Sequence, residues 1–114
     1  MKIFTKTTKQ EFQDMSNNFF DEMVKGVVDI ENEIIAVDAD LHSDLEAILL
    51  KQGSQQENLW GINLYPFVKG DDFLEFNSII NIRPLQNNRS RNVENIEIQN
   101  RIREVINKII NDAT

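Results

Sequence analysis

Three arginines that lie close together carry the most specific chemistry in this sequence. Arg83, Arg89 and Arg91 occur within the stretch INIRPLQNNRSR. A guanidinium group offers several N–H donors in one fixed plane, so it suits bidentate contacts with phosphate or carboxylate groups. We therefore predict an anion-binding loop, formed by Arg83, Asn88, Arg89, Ser90 and Arg91.

The same loop has a second interpretation. Its arginines could pair with carboxylates from the first two thirds of the chain and hold the loop in place, because ion-pair networks are common in proteins. The formal net charge is -7, yet all five arginines lie between Arg83 and Arg103, and fifteen of the nineteen acids precede Phe76. Such a distribution favours a local anion site on an acidic protein over general affinity for nucleic acid.

Two aromatic residues on a neighbouring predicted strand could add to this site. Trp60 and Tyr65 occur in the block LWGINLYP. Their rings could stack on the bases of single-stranded nucleic acid, although a lone tryptophan is more often part of the core. We favour a phosphate-bearing small molecule or an acidic protein surface as the partner over nucleic acid, and we predict no cofactor.

His42 is the only histidine, so any histidine chemistry would use it. Asp38, Asp40 and His42 together offer metal-ligand types at the entry to a helix, but their spacing is not a known metal signature. We predict that His42 forms local hydrogen bonds and that no metal binds. Acid–base use of His42 and Asp40, in a small hydrolase or nuclease that also uses Arg83, is the alternative.

The composition excludes several other classes of protein and of site. There is no cysteine, which excludes disulfides and thiolate metal sites. No apolar run approaches the roughly 20 residues that a membrane helix needs. The first residues do not resemble a signal peptide, and we expect a cytoplasmic protein that does not enter a membrane.

The elements that position these residues can be predicted from capping and periodicity. Thr8 and Glu11 fit a capping box that starts a helix extending to about Lys25, and a hairpin follows over residues 27–38. Ser43 and Glu46 fit a second capping box, whose helix stops at Gly53. In the second strand of this hairpin, Ile35 and Val37 point to one face, and Ile34 and Ala36 point to the other. Because both sets are apolar, we expect this strand to be covered on both faces.

The pattern in the second half of the sequence predicts another hairpin and a final helix. Leu59–Tyr65 and Phe73–Arg83 read as paired strands, with Phe76, Ser78, Ile80 and Ile82 on one buried face. Apolar residues at helical spacing predict a helix over Asn95–Ile110. The result is a single α+β domain over residues 1–114, in the order α-β-β-α-β-β-α, with an antiparallel sheet of about four strands and helices on one face.

Several blocks of the sequence resemble a known family. LWGINLYP, INIRP and NRSR occur in this order and are similar to the signature blocks of a small bacterial family of unknown function. The sequence departs from that pattern at Asp38-Ala39 and at Asn87, where the family has glycine, so Asp38 is a poor candidate for an essential ligand. The resemblance implies no activity.

These observations favour a non-enzymatic binding or regulatory module whose arginine loop engages an anion. The enzyme that uses His42, Asp40 and Arg83 is the alternative. A third hypothesis is a structural interaction domain, in which the apolar stripe from Phe12 to Met23 completes a homodimer.

Overall fold

A computed structural model describes residues 1–17 and 22–110. It is an α+β fold with a five-stranded antiparallel sheet in the order β1-β3-β2-β4-β5. We expected about four strands; the fifth is the short first segment, which pairs with β3. The elements are β1 (Lys2–Phe4), α1 (Lys9–Ser16), β2 (Val24–Asp29), β3 (Ile34–Val37), α2 (His42–Lys51), β4 (Leu59–Leu64), β5 (Leu74–Glu75) and α3 (Ile96–Ile109).

The first helix begins as predicted but ends earlier. Thr8 Oγ1 accepts a hydrogen bond from the Glu11 backbone N–H at 3.2 Å, which confirms the cap. The predicted extension to Lys25 is wrong, because α1 ends at Ser16 and β2 starts at Val24. Tertiary pairing overrides the helical pattern here, since β2 bonds to both β3 and β4. Phe19 of the predicted apolar stripe lies outside the described residues.

The predicted hairpin of β2 and β3 is present, and both of its faces are covered. Ile35 and Val37 belong to a core cluster that includes Phe12 of α1 and Ile102 of α3. The intervening Ala36 belongs to a second cluster, together with Val27, Leu45 and Leu49. Successive strand residues point to opposite faces. The helices therefore cover both faces of the sheet, and our expectation of helices on one face was wrong.

The second helix begins before the predicted cap. Its first residue is His42, and the preceding Leu41 makes no side-chain capping bond. Ser43 therefore lies within the first turn and cannot act as the N-cap residue that we predicted. The helix stops as expected at Gly53, whose φ of 109° is accessible to glycine.

The predicted strand Phe73–Arg83 is largely absent. Only Leu74–Glu75 forms β5, and Ile79–Asn81 and Pro84–Gln86 are short 3-10 turns. The side chain of Asn81 takes the place of the missing strand: its Oδ1 accepts from the Gly61 N–H at 2.8 Å, and its Nδ2 donates to the Gly61 carbonyl at 3.0 Å. A primary amide offers the same donor and acceptor as a peptide group, so the N–H and carbonyl of Gly61 are satisfied without a strand partner on that side of β4.

This arrangement needs a glycine at position 61. A Cβ atom there would lie 2.5 Å from Ser78 Cβ and 2.6 Å from Ser78 Oγ. Ser78 is itself buried, and its backbone N–H donates to the Arg91 carbonyl at 3.1 Å. The turn that carries Ser78 and Asn81 therefore packs directly on the backbone of β4.

The final helix agrees with its prediction. Asn95 Oδ1 accepts from the Glu97 and Ile98 N–H groups at 2.8 and 3.4 Å and so caps α3. The helix buries one apolar face, formed by Ile102, Val105, Ile106 and Ile109. Among the described residues, no helix has the length and apolar character needed to cross a membrane.

We predict that Asn81→Ala lowers the free energy of unfolding by about 2 kcal/mol or more, because each buried polar group left without a partner costs about 1–3 kcal/mol. Urea unfolding measures this value. Asn107→Ala, on the exposed face of α3, is the control and should change it by less than about 0.5 kcal/mol. Equal effects of the two substitutions would contradict the role of Asn81.

Candidate anion-binding site

Arg83 is engaged within the protein. Its Nη2 donates to the Leu59 carbonyl at 2.6 Å and to Glu46 Oε2 at 3.2 Å, and its Nη1 donates to the Gln56 carbonyl at 2.8 Å. The guanidinium carbon lies 5.0 Å from the centre of the Trp60 ring. The Arg83 side chain is only 9% exposed. It supports the start of β4, and the buried Trp60 beneath it offers no open face for stacking.

Asn88, Ser90 and Tyr65 also make internal contacts. Asn88 is buried; its Nδ2 donates to the Asn81 and Asn92 carbonyls, both at 2.7 Å, and its Oδ1 accepts from the Glu94 N–H. Ser90 Oγ donates to Glu94 Oε2 at 2.7 Å, a bond that lowers the pKa of the Glu94 carboxyl. The Tyr65 hydroxyl donates to Glu75 at 3.2 Å. The contacts of Asn88 and Ser90 fix the loop between Arg83 and Glu94.

Arg91 lies away from these contacts and lines a surface cavity together with His42. The two residues line a cavity of about 230 Å³ between the start of α2, β2 and the 3-10 turn that follows β5. We call this cavity the His42 pocket. Its lining residues are Lys25, Leu41, His42, Ser43, Ser78, Ile79, Ile80 and Arg91.

The charged groups that line the His42 pocket are cationic, and no carboxylate of residues 1–17 or 22–110 lines it. Lys25 Nζ donates to the Asp40 carbonyl at 2.7 Å, which uses one of its three donors. Arg91 Nε donates to Asn77 Oδ1 at 2.7 Å, so the guanidinium is oriented through Nε. The start of α2 adds backbone N–H groups and the positive end of the helix dipole.

His42 is held as a neutral donor at the base of this arrangement. Its Nε2 lies 2.8 Å from the Ile62 carbonyl oxygen, and because a carbonyl only accepts, Nε2 carries the proton. Burial is the largest cause that lowers the pKa of His42, and the charges of Lys25 and Arg91 lower it further. The Ile62 bond and the nearby Asn63 side chain act in the opposite direction. His42 lies at the helix entry as predicted. The prediction that its hydrogen bond is local is wrong, because the bond reaches Ile62 of β4, which packs beside the start of α2.

Asp40 and Arg83, the other residues of the enzyme hypothesis, do not line the His42 pocket. Asp40 contributes its backbone carbonyl to Lys25. Asp38 has a positive φ of 71°. Among the described residues, no group of three or more histidine and acidic side chains is placed to hold a metal ion.

Lys25, Ser43 and Ser78 line the pocket but were not among the site residues predicted from the sequence. One signal was present for Lys25, which interrupts the apolar run VKGVV and so places a charge in a strand that is otherwise buried. The serines had no comparable signal. They meet Lys25 only because the turn at Ser78 packs on β4 beside the start of α2.

The fold and the pocket define a small α+β domain with a cationic surface cavity. Residues 1–109 match the family described as protein of unknown function (DUF5674), and the chain belongs to this family. This confirms the resemblance seen in the sequence. No curated protein and no solved structure matches the chain.

We predict that Arg83→Ala lowers the free energy of unfolding by about 3–5 kcal/mol, because it leaves the carboxylate of Glu46 and two carbonyls without their partner. The double variant Arg89→Ala with Arg91→Ala should lose less than about 1 kcal/mol, because both side chains are exposed. Urea titration of the two variants measures the difference. A loss near the larger value in the double variant would show that Arg89 and Arg91 are structural.

The lowered pKa of His42 also predicts a pH dependence of stability. Between its ordinary value of 6.5 and the lower value in the folded protein, the unfolded chain binds more protons, so stability falls as the pH falls. Urea unfolding between about pH 7.5 and pH 5.5 should show this slope, and His42→Gln should remove it. The carboxyl of Asp29, whose pKa is lowered from 3.8, changes the stability only at pH values below this range. An unchanged slope in His42→Gln would contradict the assignment.

Proposed function

We propose that this protein is a binding module that takes a small anionic group, a phosphate or a carboxylate, in the His42 pocket. One observation carries the proposal: on a chain of net charge -7, the charged side chains that line this cavity are Lys25 and Arg91, with no acid among the described residues that line it. Cations concentrated in a concave site raise the local concentration of anions.

The contacts of the lining residues support this function. Asn77 orients Arg91 through Nε, and the two Nη groups then form the planar edge that pairs with a carboxylate or a phosphate. Lys25 is positioned through the Asp40 carbonyl and keeps two further donors. Ser43 adds a hydroxyl at the start of α2, where the helix dipole favours negative charge.

Of the three arginines predicted to bind the anion, only Arg91 lines the pocket. Arg83 is occupied by Glu46 and by backbone carbonyls, and Arg89 does not line the pocket. His42 is kept neutral and is bonded to β4, and the described part of the chain places no lining carboxylate beside it as a partner for acid–base chemistry. These contacts support binding more than they support the hydrolase or nuclease alternative.

The test is a titration with inorganic phosphate that is monitored through the proton NMR signal of the His42 imidazole. Because His42 is the only histidine, its Hε1 signal reports the pocket without assignment of other residues. We expect a saturable shift and a raised pKa of His42, since a bound anion offsets the charges of Lys25 and Arg91.

Matched variants separate the pocket from general charge effects. Arg91→Gln and Lys25→Gln should each weaken phosphate binding roughly tenfold or more, the loss expected for one charge-assisted hydrogen bond. Arg89→Gln and Lys51→Gln remove the same charges outside the pocket and should leave the affinity unchanged. A shift that does not saturate, or equal effects of all four variants, would show that phosphate does not bind in the pocket.

A further inference from the structure

Three large apolar side chains are exposed within seven residues of the segment that begins at Ile79, a residue of the His42 pocket. Ile79 is 67% exposed, Ile82 44% and Leu85 103%. We call these three residues the apolar ridge. Single exposed apolar residues are ordinary on a protein surface, but several along one short segment indicate a contact surface.

The segment that carries the ridge is rigidly built. The backbones of Arg83 and Asn88 bond to each other in both directions, at 2.7 and 3.1 Å, and the Gln86 N–H donates to the Arg83 carbonyl at 2.9 Å. The buried side chains of Arg83 and Asn88 anchor the two ends of this loop. The backbone that presents Leu85 is thus held in place, while the Leu85 side chain itself is fully exposed. A preorganised backbone loses little conformational entropy when a partner covers the side chains that it presents.

The ridge begins at the cationic pocket. Ile79 lines the His42 pocket together with Ile80 and Leu41, and the same cavity is lined by the charged side chains of Lys25 and Arg91. The cavity of about 230 Å³ is smaller than the roughly 300–1,000 Å³ of pockets that enclose drug-sized ligands. It therefore suits a single anionic group with one apolar substituent, and the ridge extends the contact beyond it.

We propose that the His42 pocket and the apolar ridge together bind the carboxyl terminus of a partner protein whose last residue is apolar. This inference rests on the proposed anion-binding function and names its ligand class. The terminal carboxylate pairs with Lys25 and Arg91, the last side chain packs on Leu41 and Ile79, and the preceding residues cover Ile82 and Leu85. Capture of a terminal carboxylate by cationic and backbone N–H groups is a recurring mode of peptide recognition.

Charge and surface favour this occupant over others. A free phosphate would fill the pocket but leave Ile82 and Leu85 uncovered. An anionic membrane surface would repel a chain of net charge -7 that gathers only a few cations on this side. A peptide with one carboxylate and apolar side chains complements both the pocket and the ridge.

The test uses fluorescein-labelled octapeptides whose last residue is varied, each made with a free and with an amidated carboxyl terminus, and measures fluorescence polarisation with the full chain. We expect peptides that end in leucine, isoleucine, valine or phenylalanine to bind when the terminus is free. Amidation should weaken this binding at least tenfold, because it removes the charge that pairs with Arg91.

Two sets of variants distinguish the ridge from the pocket. Leu85→Ser and Ile82→Ser should weaken peptide binding about fivefold or more and leave the affinity for inorganic phosphate unchanged. Ile96→Ser is the matched control, since Ile96 is 63% exposed at the start of α3 and lies outside the ridge. Arg91→Gln should weaken both peptide and phosphate.

The outcomes separate this inference from the proposed function. Saturable phosphate binding without peptide binding would overturn the peptide inference and leave the anion site standing. Peptide binding that is insensitive to amidation would also overturn it. If neither phosphate nor peptide binds, both proposals fail.

Discussion

The pairing of the Asn81 side chain with the Gly61 backbone is the contact on which the rest of this structure depends. It satisfies both polar groups of Gly61 on the outer edge of β4, and a third bond from Asn81 Nδ2 reaches the Arg91 carbonyl at 3.0 Å. One side chain therefore joins the sheet to the turn at Ile79 and to the loop that carries Arg91. Because all of these groups are buried or half-buried, the geometry has few alternatives.

Arg83 continues the same edge toward the start of β4. Its guanidinium bonds to the Leu59 carbonyl two residues before Gly61, so two side chains together replace a strand that would otherwise pair there. This use of side chains has a functional consequence. If residues 79–85 had formed another strand, their backbone would have been paired along the edge of β4. Because they form turns instead, the side chains of Ile79, Ile82 and Leu85 stay exposed.

Two turns of this chain use a left-handed backbone at a residue other than glycine. Asp38 and Asn87 both have positive φ values, 71° and 60°. Asparagine and aspartate tolerate this left-handed region better than other residues with a Cβ atom. Asn87 lets the loop after Pro84 close onto Asn88, and Asp38 turns the chain from β3 toward α2. A backbone requirement therefore accounts for both positions without a ligand.

The sequence by itself determined the elements that local chemistry controls. The Thr8 cap, the stop at Gly53, the β2–β3 hairpin and the amphipathic α3 follow from side chains that act within a few residues. Tertiary structure alone decided where α1 ends, that helices cover both faces, and that Asn81 replaces a strand. It also decided which arginine reaches a cavity. Arg83 and Arg91 have the same chemistry, and only packing buries one against Glu46 and places the other beside His42.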